Sequence, residues 1–205
     1  MVVLTEPKQD RAVRTREIIL RAAAEVFDEL GYSGASISKI MERAGVTPGG
    51  VYFHFKSKLG LAQAVLASQQ GFVELPDSSP GLQRLIDITF HLAHELQHNA
   101  VFRASVRLAV EQEEFGVHDD TAYQEWANQF HAQLLDARRA GELRDDVDER
   151  AFANLLVGAY TGTQIFSNMA SKRADLPERI TVMWEYLLRA IATPEARARL
   201  VMPEV

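Results

Sequence analysis

The chain has 205 residues, of which 47% are hydrophobic and 24% charged, and this composition is typical of a globular protein with one large or two small domains. It contains no cysteine, which excludes disulfide bonds and thiolate metal sites and favours a reducing, cytoplasmic location. The net charge of −6 is uneven: residues 1–60 carry nine Lys and Arg against seven Asp and Glu, whereas the remainder carries thirteen against twenty-one. A basic N-terminal part on an acidic remainder indicates a polyanionic partner for the first part.

The N-terminal part predicts four helices. Apolar residues recur at helical spacing from Asp10 to Leu30, and Gly31 follows as a residue suited to end that helix. Two short helices are expected next, and a fourth from Ser57 toward Gly71. The expected short helices begin after the N-caps Ser36 and Thr47 and end at Ala44 and Phe55.

The sequence pattern also predicts helices over the rest of the chain. A turn-rich loop over 73–81 precedes predicted helices at 82–98, 100–114, 121–140, 149–169 and 176–192, and Pro194 begins a short tail helix. The pattern shows no strand alternation, and the apolar run 151–166 is interrupted too often by polar residues and glycine to predict a membrane span. We therefore predict an all-α protein with a three-helix head over residues 1–56 and a helical bundle over residues 57–205.

The segment Ser36–Phe55 has the pattern of a helix-turn-helix, with its turn at Gly45 and Val46. Gly49 and Gly50 leave the start of the second helix without side-chain bulk, so its backbone N–H groups can approach a phosphate closely. Val51 and Phe55 are expected to anchor that helix inward and to leave Tyr52 and His54 facing outward. This pattern favours binding in the major groove of double-stranded DNA, although many α-helical bundles contain a similar helical hairpin.

The stretch from Thr15 to Lys58 resembles the DNA-binding domain of TetR-family repressors. The residues that carry the resemblance are Phe27, Gly31-Tyr32, Ser36-Ile37, Ile40, Ala44–Thr47 and Val51–Lys58. The resemblance implies DNA contacts from Thr47, Pro48, Gly49, Gly50, Tyr52, His54 and Lys58, with Arg14 reaching the DNA backbone from the first helix.

Two departures from the family pattern stand out. Pro48-Gly49-Gly50 replaces the more usual Lys-Gly-Ala and removes a basic side chain, while Leu59-Gly60 replaces an acidic pair. We expect the first change to remove one phosphate or base contact, and the second to weaken the start of the fourth helix.

A narrower resemblance to the γ-butyrolactone autoregulator receptors extends over nearly the whole chain. It rests on the Tyr-Phe-His-Phe run together with Val106-Arg107-Leu108, Trp126 and Tyr160–Gln164. The resemblance implies an effector-binding and dimerisation bundle, with Trp126 and Thr161 as ligand contacts. Gln164, a polar residue in an apolar run, and Gln63 are further candidates, because a lactone needs one or two donors in an apolar pocket.

The expected function is a homodimeric repressor that a butyrolactone or butenolide releases from its operator, with control of antibiotic production as its role. Two alternatives remain: a repressor for another ligand such as an antibiotic, and a helical small-molecule-binding protein without DNA activity. The homodimer is expected to use apolar faces of the last two long helices, formed by Leu155, Leu156, Ala159, Trp184, Leu187 and Leu188.

Other functional classes find little support in the sequence. His91, His94 and His98 share one helical face, but that spacing without further ligands in register favours a solvated or interhelical histidine face over a zinc site. The chain lacks the glycine-rich nucleotide motifs, the His-Glu-x-x-His motif and the Gly-x-Ser-x-Gly motif. We therefore expect no enzymatic activity, no metal and no cofactor.

Overall fold

The computed structural model describes residues 8–68 and 75–203, and within these ranges the protein consists of helices joined by turns, without a β-strand. A short 3-10 helix, Gln112–Phe115, follows the sixth α-helix. The α-helices are α1 (Lys8–Gly34), α2 (Ile37–Ala44), α3 (Pro48–Phe55), α4 (Lys58–Ala67), α5 (Leu82–His98), α6 (Ala100–Val110), α7 (Thr121–Arg139), α8 (Glu149–Ser171), α9 (Leu176–Ile191) and α10 (Pro194–Arg197).

The all-α prediction is confirmed, and most helix ends lie within two residues of their predicted positions. The exceptions are local. α6 ends at Val110 rather than 114 because the chain tightens into the 3-10 helix. The predicted break of the first helix at Gly31 is confirmed by its non-helical backbone with φ of 69°, and a short second helical segment carries α1 on to Gly34. The predicted end of α4 near Gly71 lies outside the described residues. None of the described helices is long and apolar enough to cross a bilayer.

The chain divides into two compact units, and the first comprises the described residues of 1–73 together with 99–119. Its core is formed by the inward faces of α1, α2, α3, α4 and α6, with Phe27, Ile40 and Leu61 fully buried. The packing unit therefore extends beyond the predicted head over residues 1–56, because α4 and α6 cover apolar surface of α1. The boundary at residue 56 stays a prediction about function.

A polar cluster joins α6 to the C-terminal end of α1; we call Asp28, Arg103, Arg107 and Glu111 the α1–α6 polar cluster. Arg103 Nε donates to the Asp28 carboxylate at 2.9 Å, and Arg107 Nη1 donates to the Asp28 carbonyl at 2.7 Å. Glu111 accepts from Arg107 Nε at 2.6 Å and from the backbone N–H of Tyr32 at 2.9 Å. These bonds fix α6 on α1 through both side chains and backbone.

Gly31 makes this approach possible. Its φ of 69° is in the left-handed region, and a Cβ there would lie 2.6 Å from Arg107 Nη2 and 2.9 Å from Glu111 Oε2. A larger residue at this position would therefore displace the α1–α6 polar cluster as well as strain the backbone.

The second unit comprises the described residues of 74–98 and 120–205, with α5, α7, α8, α9 and α10. Trp184 of α9 is fully buried, and its indole N–H donates to the Thr89 hydroxyl of α5 at 2.8 Å. Leu156 and Leu188 are buried as well. The expectation that Leu156, Trp184 and Leu188 form a dimer face is thus wrong, because these side chains fill the interior of their own subunit.

Candidate nucleic-acid interface and effector site

The helix-turn-helix is set by its caps. The Ser36 hydroxyl accepts from Lys39 N–H at the start of α2, and Gly45 ends α2 in the left-handed conformation. The N–H of Val46 donates to the Met41 carbonyl at 3.3 Å and closes the turn. As a result α3 begins two residues after Val46, as the sequence predicts.

The α3 helix separates its residues as expected, which confirms the predicted inward and outward faces. Val51 and Phe55 are buried, whereas Tyr52 is 52% exposed and His54 is half-buried. The Phe53 ring is 77% exposed and stands edge-on to the His54 ring, with centroids 5.0 Å apart. The sequence interpretation does not include Phe53 among the DNA contacts. Anchoring of α3 by Val51 and Phe55 nevertheless turns position 53 outward together with position 52.

The N-terminal end of α3 is open. Thr47 occupies the N-cap position, but its side chain makes no capping hydrogen bond to the helix. Apart from the adjacent residues and the nearby backbone of α3 itself, no atom of the described residues lies within 4 Å of a Cβ built on Gly49 or Gly50. The packing of the protein itself therefore does not require glycine at either position, and the missing side chains leave room for a molecule outside the chain.

The cationic residues near α3 differ in how they are engaged. The half-buried Lys58 ammonium donates to the Ala35 carbonyl at 2.9 Å and lies 4.2 Å above the Tyr32 ring. Lys58 is thereby held in one place beside α2 and α3. This contact is structural, and the predicted phosphate contact of Lys58 would use its remaining donors.

A shallow groove of about 330 Å³ lies along α1 and the end of α2, and exposed Arg14 is one of its lining residues. Arg43 also lines this groove, but it forms a bidentate pair with Glu29 and a further bond of 3.2 Å to Glu25. The Arg43 guanidinium lowers the pKa of Glu29 through this hydrogen bonding. The groove thus combines basic and acidic side chains, with the Arg43 charge already compensated.

The predicted effector residues fall in both units. Gln63 is exposed on α4 of the first unit, whereas Trp126, Thr161 and Gln164 belong to the second. The half-buried Trp126 ring lies 5.9 Å from the buried Phe130 ring on α7, which makes an aromatic surface. Thr161 is half-buried on α8.

Gln164 is a buried polar residue of α8. Gln164 is 3% exposed, and its Oε1 accepts from Arg173 Nη2 at 3.3 Å, so the predicted need for a partner is met. The sequence interpretation did not select Tyr160, one turn earlier. Its buried hydroxyl and His91 Nε2 have no hydrogen-bond partner among the described residues, and no sequence signal identifies an unpaired atom.

The three histidines of α5 form no metal site in the described part of the chain, where no group of three or more potential ligands is close enough to hold an ion. His94 and His98 stack with ring centroids 4.2 Å apart, and His98 Nδ1 bonds to the His94 carbonyl. His94 and His98 thus stack on one another on one face of α5.

Comparison with known proteins agrees with this geometry. Residues 19–65 match the family model described as bacterial regulatory proteins, tetR family, and residues 79–193 match that of the tetracyclin repressor-like C-terminal domain. The A-factor receptor protein of Streptomyces griseus is 38% identical over 96% of this chain and 70% of its own length.

Two solved structures are similar over almost the whole chain. TylP, a TetR regulator from Streptomyces fradiae, shares 42% identity with a TM-score of 0.82 and covers 94% of this chain and 93% of its own. A γ-butyrolactone receptor described as an ArpA-like protein shares 33% identity with a TM-score of 0.74 over 92% of this chain and 94% of its own. With a helix-turn-helix whose second helix turns exposed aromatic side chains outward, and with both family models matched in order, the chain belongs to the TetR family of bacterial regulatory proteins.

Proposed function

We propose that this protein is a cytoplasmic transcriptional repressor that binds operator DNA as a homodimer and is released by a γ-butyrolactone or butenolide signal. The observation that carries the proposal is the open, glycine-rich start of α3 beside an exposed aromatic face, in a chain similar along its length to receptors for A-factor and γ-butyrolactone. The antibiotic-control role of the proposal rests on the similarity to a solved structure described as the molecular basis for control of antibiotic production by bacterial hormones, which shares 34% identity with this chain.

The DNA contact proceeds from α3. Pro48 has no N–H and the Gly50 N–H donates to the Thr47 carbonyl at 3.0 Å, so the Gly49 N–H and the Thr47 hydroxyl are the groups that meet phosphate. The exposed Tyr52 and Phe53 side chains and the half-buried His54 enter the major groove. An aromatic face such as that of Phe53 suits contact with a thymine methyl group. The proposed DNA-contacting residues are Arg14, Thr47, Pro48, Gly49, Gly50, Tyr52, Phe53, His54 and Lys58.

The homodimer uses the outer faces of α8 and α9. Leu155, Phe166 and Met169 lie on one face of α8, where they are between 57% and 80% exposed. Gly158 and Gly162 lie between them on the same face without bulk, so a partner helix can approach closely. An exposed apolar stripe of this kind is typical of an interaction surface, and a two-fold dimer would bury it against its own copy.

On α9, Val182 and Tyr186 continue the apolar surface, each more than half exposed. The Arg179 guanidinium covers the Phe166 ring at 4.2 Å from its centroid, which gives the apolar surface a cationic margin. The proposed interface thus keeps Leu155 from the predicted face. It replaces the buried Leu156, Trp184 and Leu188 with residues on the exposed faces of the same two helices.

The effector is bound by Trp126, Thr161 and Gln164 of the second unit, and the Gln63 contact stays a prediction from the sequence. The aromatic surface of Trp126 suits an alkyl tail, and the Thr161 hydroxyl and Gln164 amide suit the polar atoms of a lactone. The effector releases DNA because it binds more tightly to a conformation in which the two heads no longer match the operator half-sites. α4, which follows the head directly, is the proposed lever.

The test is a gel-shift assay with the promoter region of the protein's own gene, at physiological salt, followed by titration of a γ-butyrolactone into the complex. We expect a specific protein–DNA band that disappears as the lactone is added. Tyr52→Ala is the control for the DNA contact: it should weaken the band while dimerisation and lactone binding persist, because Tyr52 lies on the exposed face of α3. Absence of a specific band for the wild type would refute repression.

A panel of lactones, butenolides and antibiotics in a thermal-shift assay separates the effector classes. A ligand that binds the native state raises the unfolding midpoint. A shift with an antibiotic and none with the lactones would identify a repressor with a different effector and overturn the lactone part of the proposal.

A further inference from the structure

The α8 helix contains a buried phenol that packing alone does not explain. Tyr160 is 8% exposed, and its hydroxyl oxygen is enclosed yet has no hydrogen-bond partner among the described residues. Native proteins rarely leave a buried hydroxyl unpaired, because desolvation of the group is not compensated. Burial also raises the pKa of the Tyr160 phenol far above its ordinary value, so the group stays an O–H donor at neutral pH.

The neighbours of this hydroxyl are polar and buried as well. Gln164 lies one turn further along α8 and is 3% exposed. Arg173 donates to the Gln164 amide oxygen at 3.3 Å, and its positive charge acts on Tyr160, where it partly offsets the effect of burial on the phenol pKa. A phenol, an amide and a guanidinium are thus gathered at one place.

The backbone that carries Arg173 is held in an unusual conformation. Lys172 and Arg173 both have positive φ, 57° and 71°, which is uncommon for residues other than glycine. The turn is fixed at both ends: Arg173 N–H donates to the Ser167 carbonyl at 3.2 Å, and the Gln97 side-chain amide donates to the Arg173 carbonyl at 2.7 Å. These bonds fix the backbone from which the Arg173 side chain extends and so keep its guanidinium beside α8.

We propose that Tyr160, Gln164 and Arg173 form a subsite for a hydrogen-bond-accepting carbonyl oxygen of the effector, to which the Tyr160 hydroxyl donates. This inference rests on the proposed function, since it specifies the chemistry of the same effector site. The subsite offers chiefly donors, so it selects an acceptor and rejects ligands with an alkyl group or a donor at that position. The acceptor is either the carbonyl of an intact lactone or the carboxylate of its ring-opened hydroxy acid.

The experiment compares the wild type with Tyr160→Phe, which removes only the hydroxyl. Each protein is bound to its promoter DNA and titrated with three probes: a γ-butyrolactone with an alkyl tail, the tetrahydrofuran analogue that lacks the ring carbonyl, and the ring-opened hydroxy acid. The unfolding midpoint of each protein is measured without probe. Tyr123→Phe makes the same chemical change at a half-buried tyrosine of α7 that has no assigned role in DNA, dimer or subsite contacts, and it serves as the matched control.

Without probe, Tyr160→Phe should unfold at the wild-type temperature or slightly higher, because the lost hydroxyl had no partner. The lactone concentration for half-maximal release should rise about tenfold. The change should make no difference with the tetrahydrofuran analogue, since a donor without an acceptor gains nothing. Release by the hydroxy acid at lower concentration than by the lactone supports the subsite with a carboxylate as its occupant.

Three results would overturn the subsite alone: equal release of wild type and Tyr160→Phe by the lactone and by the hydroxy acid, an equal penalty for the lactone and the tetrahydrofuran analogue, or a clear loss of stability without probe. The last result would mean that the hydroxyl has a partner in the free protein. If none of the probes releases even the wild type, the lactone response in the proposed function fails, and the acceptor subsite fails with it.

Discussion

Replacement of Gly49 by alanine should stabilise the protein and weaken its binding to DNA. Gly49 lies in the first turn of α3, and a Cβ there meets no atom of the described residues within 4 Å apart from the adjacent residues and the nearby backbone of α3. Alanine is favoured over glycine in a helix by about 0.5–1 kcal/mol, chiefly because it restricts the unfolded chain. For a chain of this size the unfolding temperature should rise by about 1–4 °C.

The effect on DNA has the opposite sign. The added methyl group occupies the space through which a phosphate approaches the Gly49 N–H. Loss of one charge-assisted hydrogen bond costs about 1.5–3 kcal/mol, so affinity for the operator should fall about tenfold or more. Differential scanning calorimetry measures the first effect, and a gel-shift titration at fixed salt measures the second.

Gly49→Ala should therefore raise the unfolding temperature while it lowers the affinity for the operator. Effector binding and the oligomeric state should be unchanged, because Gly49 lies in the first unit and its substitution leaves α8 and α9 intact. If Gly49→Ala raises the unfolding temperature and binds the operator as tightly as the wild type, the open start of α3 does not face DNA. If it lowers the unfolding temperature, the argument from free space around Gly49 is wrong.

The remaining predictions concern three other places in the chain. Lys58→Met should lower the free energy of unfolding by about 1 kcal/mol, because the bond to the Ala35 carbonyl is lost. It should also reduce the slope of log affinity for DNA against log salt concentration by about one per subunit. A changed stability with an unchanged slope would make Lys58 purely structural. Thr161→Val should leave operator binding intact but weaken effector binding several-fold to about tenfold, and Trp126→Ala should weaken it more. The measurement is a titration of effector into the protein–DNA complex. Release at the wild-type concentration by both variants would assign these residues to the core. Hydrogen bonds from Ser167 and Ser171, and then the pair with Arg179, lower the pKa of Asp175 from 3.8 to about 2. Because the folded-state pKa is lowered, the stability from Asp175 is present above pH 4 and is lost as the pH falls toward 2, so Asp175→Asn should be less stable at pH 7 and lose less over that acid range; parallel stability curves for the two proteins would contradict this.

Local signals in the sequence predict the helix-turn-helix well. Ser36 and Gly45 act as caps for a helix only eight residues long, so their chemistry alone fixes where α2 begins and ends. The sequence predicts that Leu59-Gly60 in place of an acidic pair weakens the start of α4, and this stays a prediction, but the structure adds a role for Gly60 that no sequence pattern shows. In the structure the Gly60 N–H donates to the Ser57 hydroxyl, and a Cβ on Gly60 would collide with the Phe55 carbonyl. The glycine is required by the sharp entry into α4.

Interactions between distant parts of the chain could not be predicted. A helix pattern shows that α9 is apolar on more than one side, but only the Thr89 hydroxyl, 95 residues away in sequence, shows that Trp184 faces inward. The exposed face with Val182 and Tyr186 then remains for a partner. Likewise, the unpaired hydroxyl of Tyr160 is a property of its enclosed surroundings, and no residue pattern encodes it.

The α1–α6 polar cluster has a consequence for the construction of hybrid regulators. Exchange of the first 56 residues with those of a relative would combine Asp28 and Gly31 from one parent with Arg103, Arg107 and Glu111 from the other. Such a hybrid would retain every residue of the helix-turn-helix and still place a foreign α6 against α1. A graft that also transfers residues 99–119 keeps both sides of this contact from the same parent, so the natural unit of exchange is discontinuous in sequence.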